Sequence, residues 1–183
     1  MKSPTNSLPG MIVGILKNFD DARGSFTKLF NDETKVNYFA SKEIKEINFS
    51  RTTKKGTCRG LHYQTSPYTE VKVIYCLRGT IFDVAVDLRR DSDTFLSYYS
   101  QIISSDGKKF LMIPEGFAHG YQTLTNDCEL LYLHSAKYTP DSQAVLNAKD
   151  PALKIKWPLE ITFRSERDRN AKFLSQSFRG LRI

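Results

Sequence analysis

The sequence predicts a mostly-β domain, a sandwich or barrel of short antiparallel strands, and three observations lead to that class. Val, Ile, Thr, Tyr, Phe and Trp together supply 55 of the 183 residues while Ala supplies only 9, a balance that suits pleated, half-buried strands better than helices. Residues 80–88, TIFDVAVDL, alternate cleanly: Phe82, Val84, Val86 and Leu88 point one way, Ile81, Asp83, Ala85 and Asp87 the other. Short β-rich runs then recur along the chain, each bounded by Gly, Pro, Asn or Asp. No repeat, low-complexity run or linker interrupts them, so residues 1–183 are read as a single domain.

Taken in order, a short polar lead opens the chain, and strands are expected at 24–30, 45–52 and 57–63. The run VKVIYC at 71–76, followed by Arg78-Gly79 and the alternating 80–88 segment, reads as a hairpin. Further strands are expected at 95–103, 110–113, 121–125 and 129–135. Only residues 32–44 and the tail after Ser165 look helical, giving a few short helices and a C-terminal helical tail.

Lys and Arg number 27 against 20 Asp and Glu, a formal charge of +7. Such an excess asks for an anionic partner: nucleic acid, an acidic membrane or a phosphorylated small molecule. The longest basic runs are pairs (Lys54-Lys55, Arg89-Arg90, Lys108-Lys109), and the Arg-rich C-terminal stretch is interleaved with Glu166 and Asp168. With no basic stripe, nucleic acid is not expected, and a solvated surface or a phosphate-binding cleft stays open. No run of eighteen apolar residues and no apolar leader is present, so neither membrane spanning nor export is expected and the cytoplasm is the expected compartment. Cys58, Cys76 and Cys128 are odd in number and widely spaced, which fits small buried hydrophobes rather than disulfides or a zinc site.

Histidine is scarce: His62, His119 and His134. The segment Pro114-Glu115-Gly116-Phe117-Ala118-His119 resembles the second motif of the cupin superfamily, small antiparallel jelly-roll barrels that hold a site in their mouth. Metal-binding cupins place two His as H-x-H on one strand so that both face the same side. Here Gln64 stands where the second would fall, so no metal is expected. An unaided histidine in such a mouth can still abstract a proton, because its ordinary pKa lies near ~6.5. Arg59, three residues before His62, falls on the opposite strand face unless a bulge intervenes, and Gly60 is suited to one.

RGLHYQ at 59–64, DVAVDLR at 83–89, IPEGFAHGY at 113–121, Tyr132 paired with Tyr138, and KIKWP at 154–158 occur in this order, with DARGSF at 21–26 and ERDRNA at 166–171 flanking them. Together they resemble the dTDP-4-dehydrorhamnose 3,5-epimerase family of nucleotide-sugar enzymes. The resemblance implies a cofactor-free, metal-free cupin acting on a 4-keto-6-deoxy sugar attached to a nucleoside diphosphate, and a homodimer. It implies His62 as the base that removes a proton beside the ketone, Tyr132 as the acid that returns one on the other face, and Lys72 as the cation at the developing oxyanion. Asp168 is the matching partner for His62, with Asp83 as the alternative. Arg23 and Arg59 match positions that hold the sugar nucleotide and its phosphates, and Asn48 matches a base-contacting amide. His119 and Arg167 match substrate contacts, and Tyr138 an aromatic that stacks on the base. Phe26, with Phe19, is placed at the nucleotide slot.

Lys28, Glu46 and Gln143 replace residues common in the family's nucleotide and substrate shell, and Ala148-Lys149-Asp150-Pro151 lacks the Trp of the corresponding segment. These departures leave the proton-transfer residues in place and leave open the base, inversion of one carbon or two, and the pathway. An idle sugar-nucleotide-binding cupin and a 3,4-ketoisomerase on the same barrel are the competing readings.

Overall fold

The β-formers assemble into two five-stranded antiparallel sheets and one separate hairpin, in a computed structural model that describes residues 7–39 and 42–183. In chain order the strands are β1 (Ile12–Ile15), β2 (Asn18–Asp21), β3 (Gly24–Thr27), β4 (Glu46–Thr52), β5 (Cys58–Gln64), β6 (Lys72–Arg78), β7 (Thr80–Asp87), β8 (Tyr98–Ser104), β9 (Lys109–Ile113), β10 (Phe117–Thr123), β11 (Cys128–His134) and β12 (Gln143–Val145). Among the described residues two short α-helices, α1 (Asp32–Phe39) and α2 (Glu166–Asn170), and a 3-10 turn at Pro140–Ser142 complete the fold. One sheet runs β1-β9-β6-β11-β4, the other β12-β5-β10-β7-β8, and among the described residues β2 pairs only with β3. From β4 onward the chain crosses between the sheets at every step except β7 to β8, which makes the architecture a jelly roll.

That crossing corrects one expectation. Strands β6 and β7 do not form a hairpin: β6 pairs with β9 and β11, and β7 with β8 and β10. Gly79, at φ +79°, turns the chain from one sheet to the other, and a Cβ there would come within 2.7 Å of Thr125 Oγ1 and 2.8 Å of Cys128 Sγ. The alternation within β7 holds, with both of its faces buried. Ile81 and Ala85 join the core between the sheets, alongside Ile74, Leu111, Ile113 and Leu130. Val84 and Val86 face outward into a second layer with Leu61, Leu146 and Leu153, roofed by Trp157, Phe178 and Leu181 from the C-terminal segment. Helix α1 roofs the other sheet, packing Tyr38 and Phe39 on Val73, Tyr75, Phe110 and Leu133. Each large side chain buried in these layers contributes roughly 1.5–3 kcal/mol.

Other boundaries shift for local reasons. The helix expected over 32–44 ends at Phe39; residues 40 and 41 lie outside the described part, and by Lys45 the backbone already donates to the His134 carbonyl at 2.8 Å as it enters β4. The C-terminal tail is helical only over Glu166–Asn170, where the Ser165 side chain accepts from the Asp168 N–H. Beyond it, Asn147 holds the Ala171 carbonyl and Asp150 the Leu174 N–H, which draws the chain out across the sheet. Strand β8 starts at Tyr98 rather than 95, because Ser92 and Thr94 are turned inward onto buried Asp87. Strand β10 begins at Phe117, earlier than expected, and β1, β2 and β12 are short pieces the pattern did not announce. Of the polar N-terminal lead, the first six residues lie outside the described part. All three cysteines are buried and free, and burial pushes the Cys58 thiol up to about 12.

Candidate active site

Strand register sets the two walls of a cleft of about 560 Å³ between the sheets, within the usual size of small-molecule sites. On one wall the antiparallel pairing of β6, β11 and β4 lines up side chains in rows: Lys72, His134 and Glu46 in one, Ile74, Tyr132 and Asn48 in the next. The facing wall is β5 and β10, which bring Arg59, His62 and His119 to the cleft. Alternation alone would put Arg59 and His62 on opposite faces. The register between β5 and β10 shifts between His119 and Tyr121, so that Gly60 and Leu61 together oppose Gly120. This bulge is the one expected at Gly60, whose φ is +101° and whose missing Cβ would stand 2.6 Å from the His119 carbonyl.

The bulge also serves the histidine beside it. His62 Nε2 lies 2.7 Å from Asp168 Oδ1, and the Gly60 N–H donates to Asp168 Oδ2 at 3.2 Å. Asp168 is delivered from the far end of the chain by α2. Burial pushes its carboxyl upward, but the bonds from His62, Gly60 and Ser165 outweigh that and hold it below the usual carboxylate range. An ionised Asp168 fixes the proton on Nε2 and leaves the Nδ1 lone pair as the basic atom. The alternative partner, Asp83, is taken by another histidine: both its oxygens lie 2.9–3.0 Å from His119 Nε2.

Across the cleft, burial, with the neighbouring Tyr121 and Asp83, pushes the Tyr132 phenol well above its ordinary value, so it holds its proton at neutral pH. Lys72 is buried, with Nζ 3.0 Å from Glu70 Oε1 and 3.4 Å from the His62 carbonyl. Glu70 turns its other oxygen to His134 Nδ1 at 2.8 Å. Every histidine of the chain therefore pairs with a carboxylate at this one cleft. Among the described residues no three His, Cys, Asp or Glu side chains converge as a metal-holding group.

Of the residues expected at the site, His62, Lys72, Tyr132, Asp168, Asn48, Glu46, Arg59, His119, Tyr138, Gln143 and Arg167 all line the cleft. Glu46 accepts from the Tyr138 N–H at 2.7 Å and from Asn48 Nδ2 at 3.2 Å, which turns the Asn48 carbonyl away from it. Arg59 is steadied by Thr52, and Arg167 reaches Gln143 at the rim. Arg23 and Phe26 are not brought to the cleft. They sit on the exposed β2–β3 hairpin, where Arg23 pairs with Asp21, and Phe26 packs on Phe19. Lys28, just past that hairpin, is exposed and equally apart. Glu70 and Tyr121 line the cleft without having been singled out, and His134 had been noted only for its rarity. The i, i+2 step from Tyr132 to His134 was the available signal.

A two-sheet jelly roll with paired histidines and a protonated tyrosine across its mouth defines a cupin-type barrel equipped for acid–base chemistry. The family model for dTDP-4-dehydrorhamnose 3,5-epimerase matches residues 5–176. The chain is 35% identical over 173 residues to the dTDP-4-dehydrorhamnose 3,5-epimerase of Shigella flexneri, covering 93% of this chain and 95% of that one. Among solved structures, the Bacillus anthracis enzyme of that name, with TDP and PPi bound, superposes with a TM-score of 0.89 at 32% identity, covering 94% of this chain and 99% of that one. A Legionella pneumophila 3,5-epimerase in complex with dTDP-4-keto-L-rhamnose superposes with a TM-score of 0.86 at 34% identity, covering 92% and 89%. The chain belongs to the dTDP-4-dehydrorhamnose 3,5-epimerase family.

Proposed function

We propose that the protein epimerises C3 and C5, or one of them, of a nucleoside-diphosphate 4-keto-6-deoxyhexose, with dTDP-4-keto-6-deoxyglucose as the first choice of substrate. The observation that carries this reading is the His62–Asp168 dyad on one wall, with protonated Tyr132 on the other and the Lys72 ammonium 3.4 Å from the His62 carbonyl. The C4 ketone acidifies its neighbouring C–H bonds. Nδ1 of His62 takes one such proton, and the electron pair moves to the C4 oxygen as an enolate. A cation or donor at that oxygen typically lowers the barrier by a few kcal/mol, and Lys72 supplies it. Tyr132 then delivers a proton from the opposite face, which inverts the carbon. No cofactor enters this scheme.

Arg59, Arg167 and His119 are assigned to the sugar nucleotide, Asn48 and Tyr138 to the base. The TDP and the dTDP sugar held by the two solved relatives support a thymidine nucleotide. The whole chain, 1–183, is read as one domain working in the cytoplasm, where its buried thiols stay reduced; among the described residues no helix is long and apolar enough to cross a membrane. A homodimer is proposed as well. Among the described residues strand β4 is a sheet edge, carrying exposed Ile47 and Phe49, a surface that association covers. In that assembly the detached hairpin of a second copy is what would carry Arg23 and Phe26 toward substrate.

The test is proton NMR of dTDP-, GDP-, CDP- and UDP-linked 4-keto-6-deoxy sugars incubated with the protein in heavy water. Deuterium at C3 or C5 with inverted product supports the reading; tight binding without exchange favours an idle binding protein, and a migrated carbonyl a ketoisomerase.

A further inference from the structure

Lys72 can polarise an enolate oxygen only if its ammonium is held in place, and a lysine stem has four rotatable carbons to lose it by. Two of its three N–H donors are accounted for, one by Glu70 Oε1 and one by the His62 carbonyl, which leaves the third for the cleft. Glu70 precedes β6, in a segment without regular structure, and its carboxylate has two oxygens to place. The second is fixed by Nδ1 of His134 at 2.8 Å, and His134 stands directly opposite Lys72 in the β6–β11 register. The imidazole itself is fixed by stacking on Tyr132, ring centroids 5.8 Å apart and 26° from parallel. Nδ1, Glu70 and Nζ thus form an unbroken chain, all three side chains at most 14% exposed.

We propose that His134 is a positioning residue for the reaction: by holding Glu70 it sets the place and direction of the Lys72 ammonium, and it couples that ammonium to Tyr132, the acid on the same wall. The proposal rests on the epimerase reading above. Its electrostatics are consistent. Burial pushes the Glu70 carboxyl up, but the His134 bond and the Lys72 charge hold it below the usual range, so the clamp is ionised at neutral pH.

The test uses the full chain with dTDP-4-keto-6-deoxyglucose in heavy water and compares His134→Ala, His134→Gln, Glu70→Gln, Lys72→Met and the double variant His134→Ala/Lys72→Met. His134→Ala and Glu70→Gln should each lower kcat for exchange roughly ten- to a hundred-fold with KM little changed, as a slight misplacement of a charged group does. His134→Gln, whose amide can still donate to Glu70, should recover most of that loss. The double variant should be no slower than Lys72→Met alone, because His134 acts through the lysine. A His134→Ala enzyme with unchanged kcat, or a double variant carrying the product of both losses, overturns the proposal. A second arm needs no turnover: the Lys72 ε-carbon resonance, assigned by its absence in Lys72→Met, should move toward the value of a free lysine in both His134→Ala and Glu70→Gln. If it stays where it is in the native protein, the tether does not exist. A wild-type protein inert toward every keto sugar, with the Lys72 resonance moving as stated, would reject the epimerase reading and leave the tether standing.

Discussion

In the proposed reaction His62 and Tyr132 divide the chemistry because their surroundings differ. Asp168 orients the imidazole and leaves Nδ1 basic, while burial keeps the phenol protonated. His62→Ala should therefore abolish deuterium uptake at both carbons, a loss of at least roughly a thousand-fold for a general base. Tyr132→Phe should retain part of the uptake and lose inversion, since exchange needs only the base. Equal small losses in the two variants would remove the assignment of roles. The resemblance of the chain's motifs to the epimerase family singled out His62, Lys72 and Tyr132, while residue chemistry alone offered only a histidine able to act as a base. The choice between Asp168 and Asp83 was not legible in the sequence, because the two candidates lie 106 and 21 positions from His62 and only the strand crossings decide which one arrives. Glu70 and His134 escaped for a similar reason: their bond joins groups 64 positions apart.

Two short elements aim these residues. The β5 bulge turns Arg59 and His62 to one face, and it was readable from Gly60 because few residues but glycine accept that backbone. Gly60→Ala should destabilise the fold and cut exchange together: the new Cβ would meet the His119 carbonyl at 2.6 Å, and the strained φ is unavailable to alanine without further cost. A variant with native melting temperature and activity would show that the bulge is not needed. Helix α2 is the second element. Ser165 caps it, its side chain accepting from the Asp168 N–H, so Ser165→Ala should cost about 1 kcal/mol of stability, read from urea unfolding. It should also raise the pH at which activity falls on the acid side, since one of the bonds that depress Asp168 is lost. The misread hairpin at Arg78-Gly79 marks the limit of local pattern. A tight glycine turn between two β-runs looks the same whether the second strand folds back or crosses to the opposite sheet, and only the later strands β9, β10 and β11 settle which.

At the scale of the whole molecule, three little-exposed carboxyls, Glu70, Asp87 and Asp168, are each pushed up by desolvation and held down more strongly by their partners. For groups whose folded pKa is depressed, the stabilisation is full above the unfolded value, about pH 4, and is lost as pH falls through the lower folded values. Thermal melting should hence be insensitive to these groups above about pH 5 and fall steeply below about pH 4; a midpoint that rises on acidification would contradict the sign. The +7 charge is placed only in part by Arg59, Lys72 and Arg167 at the cleft, while Arg23 and Lys28 stand on or beside the hairpin. Sedimentation at micromolar concentration should give a dimer, and a monomer that still turns over would show that Arg23 and Phe26 are dispensable. The account as a whole stands on His62 removing a proton from the carbon beside a ketone. The most direct measurement is proton NMR of dTDP-4-keto-6-deoxyglucose in heavy water with the wild-type protein: disappearance of the C3 or C5 proton signal, abolished in His62→Ala, is the result the account predicts, and retention of both signals with every nucleotide-linked keto sugar is the result that would contradict it.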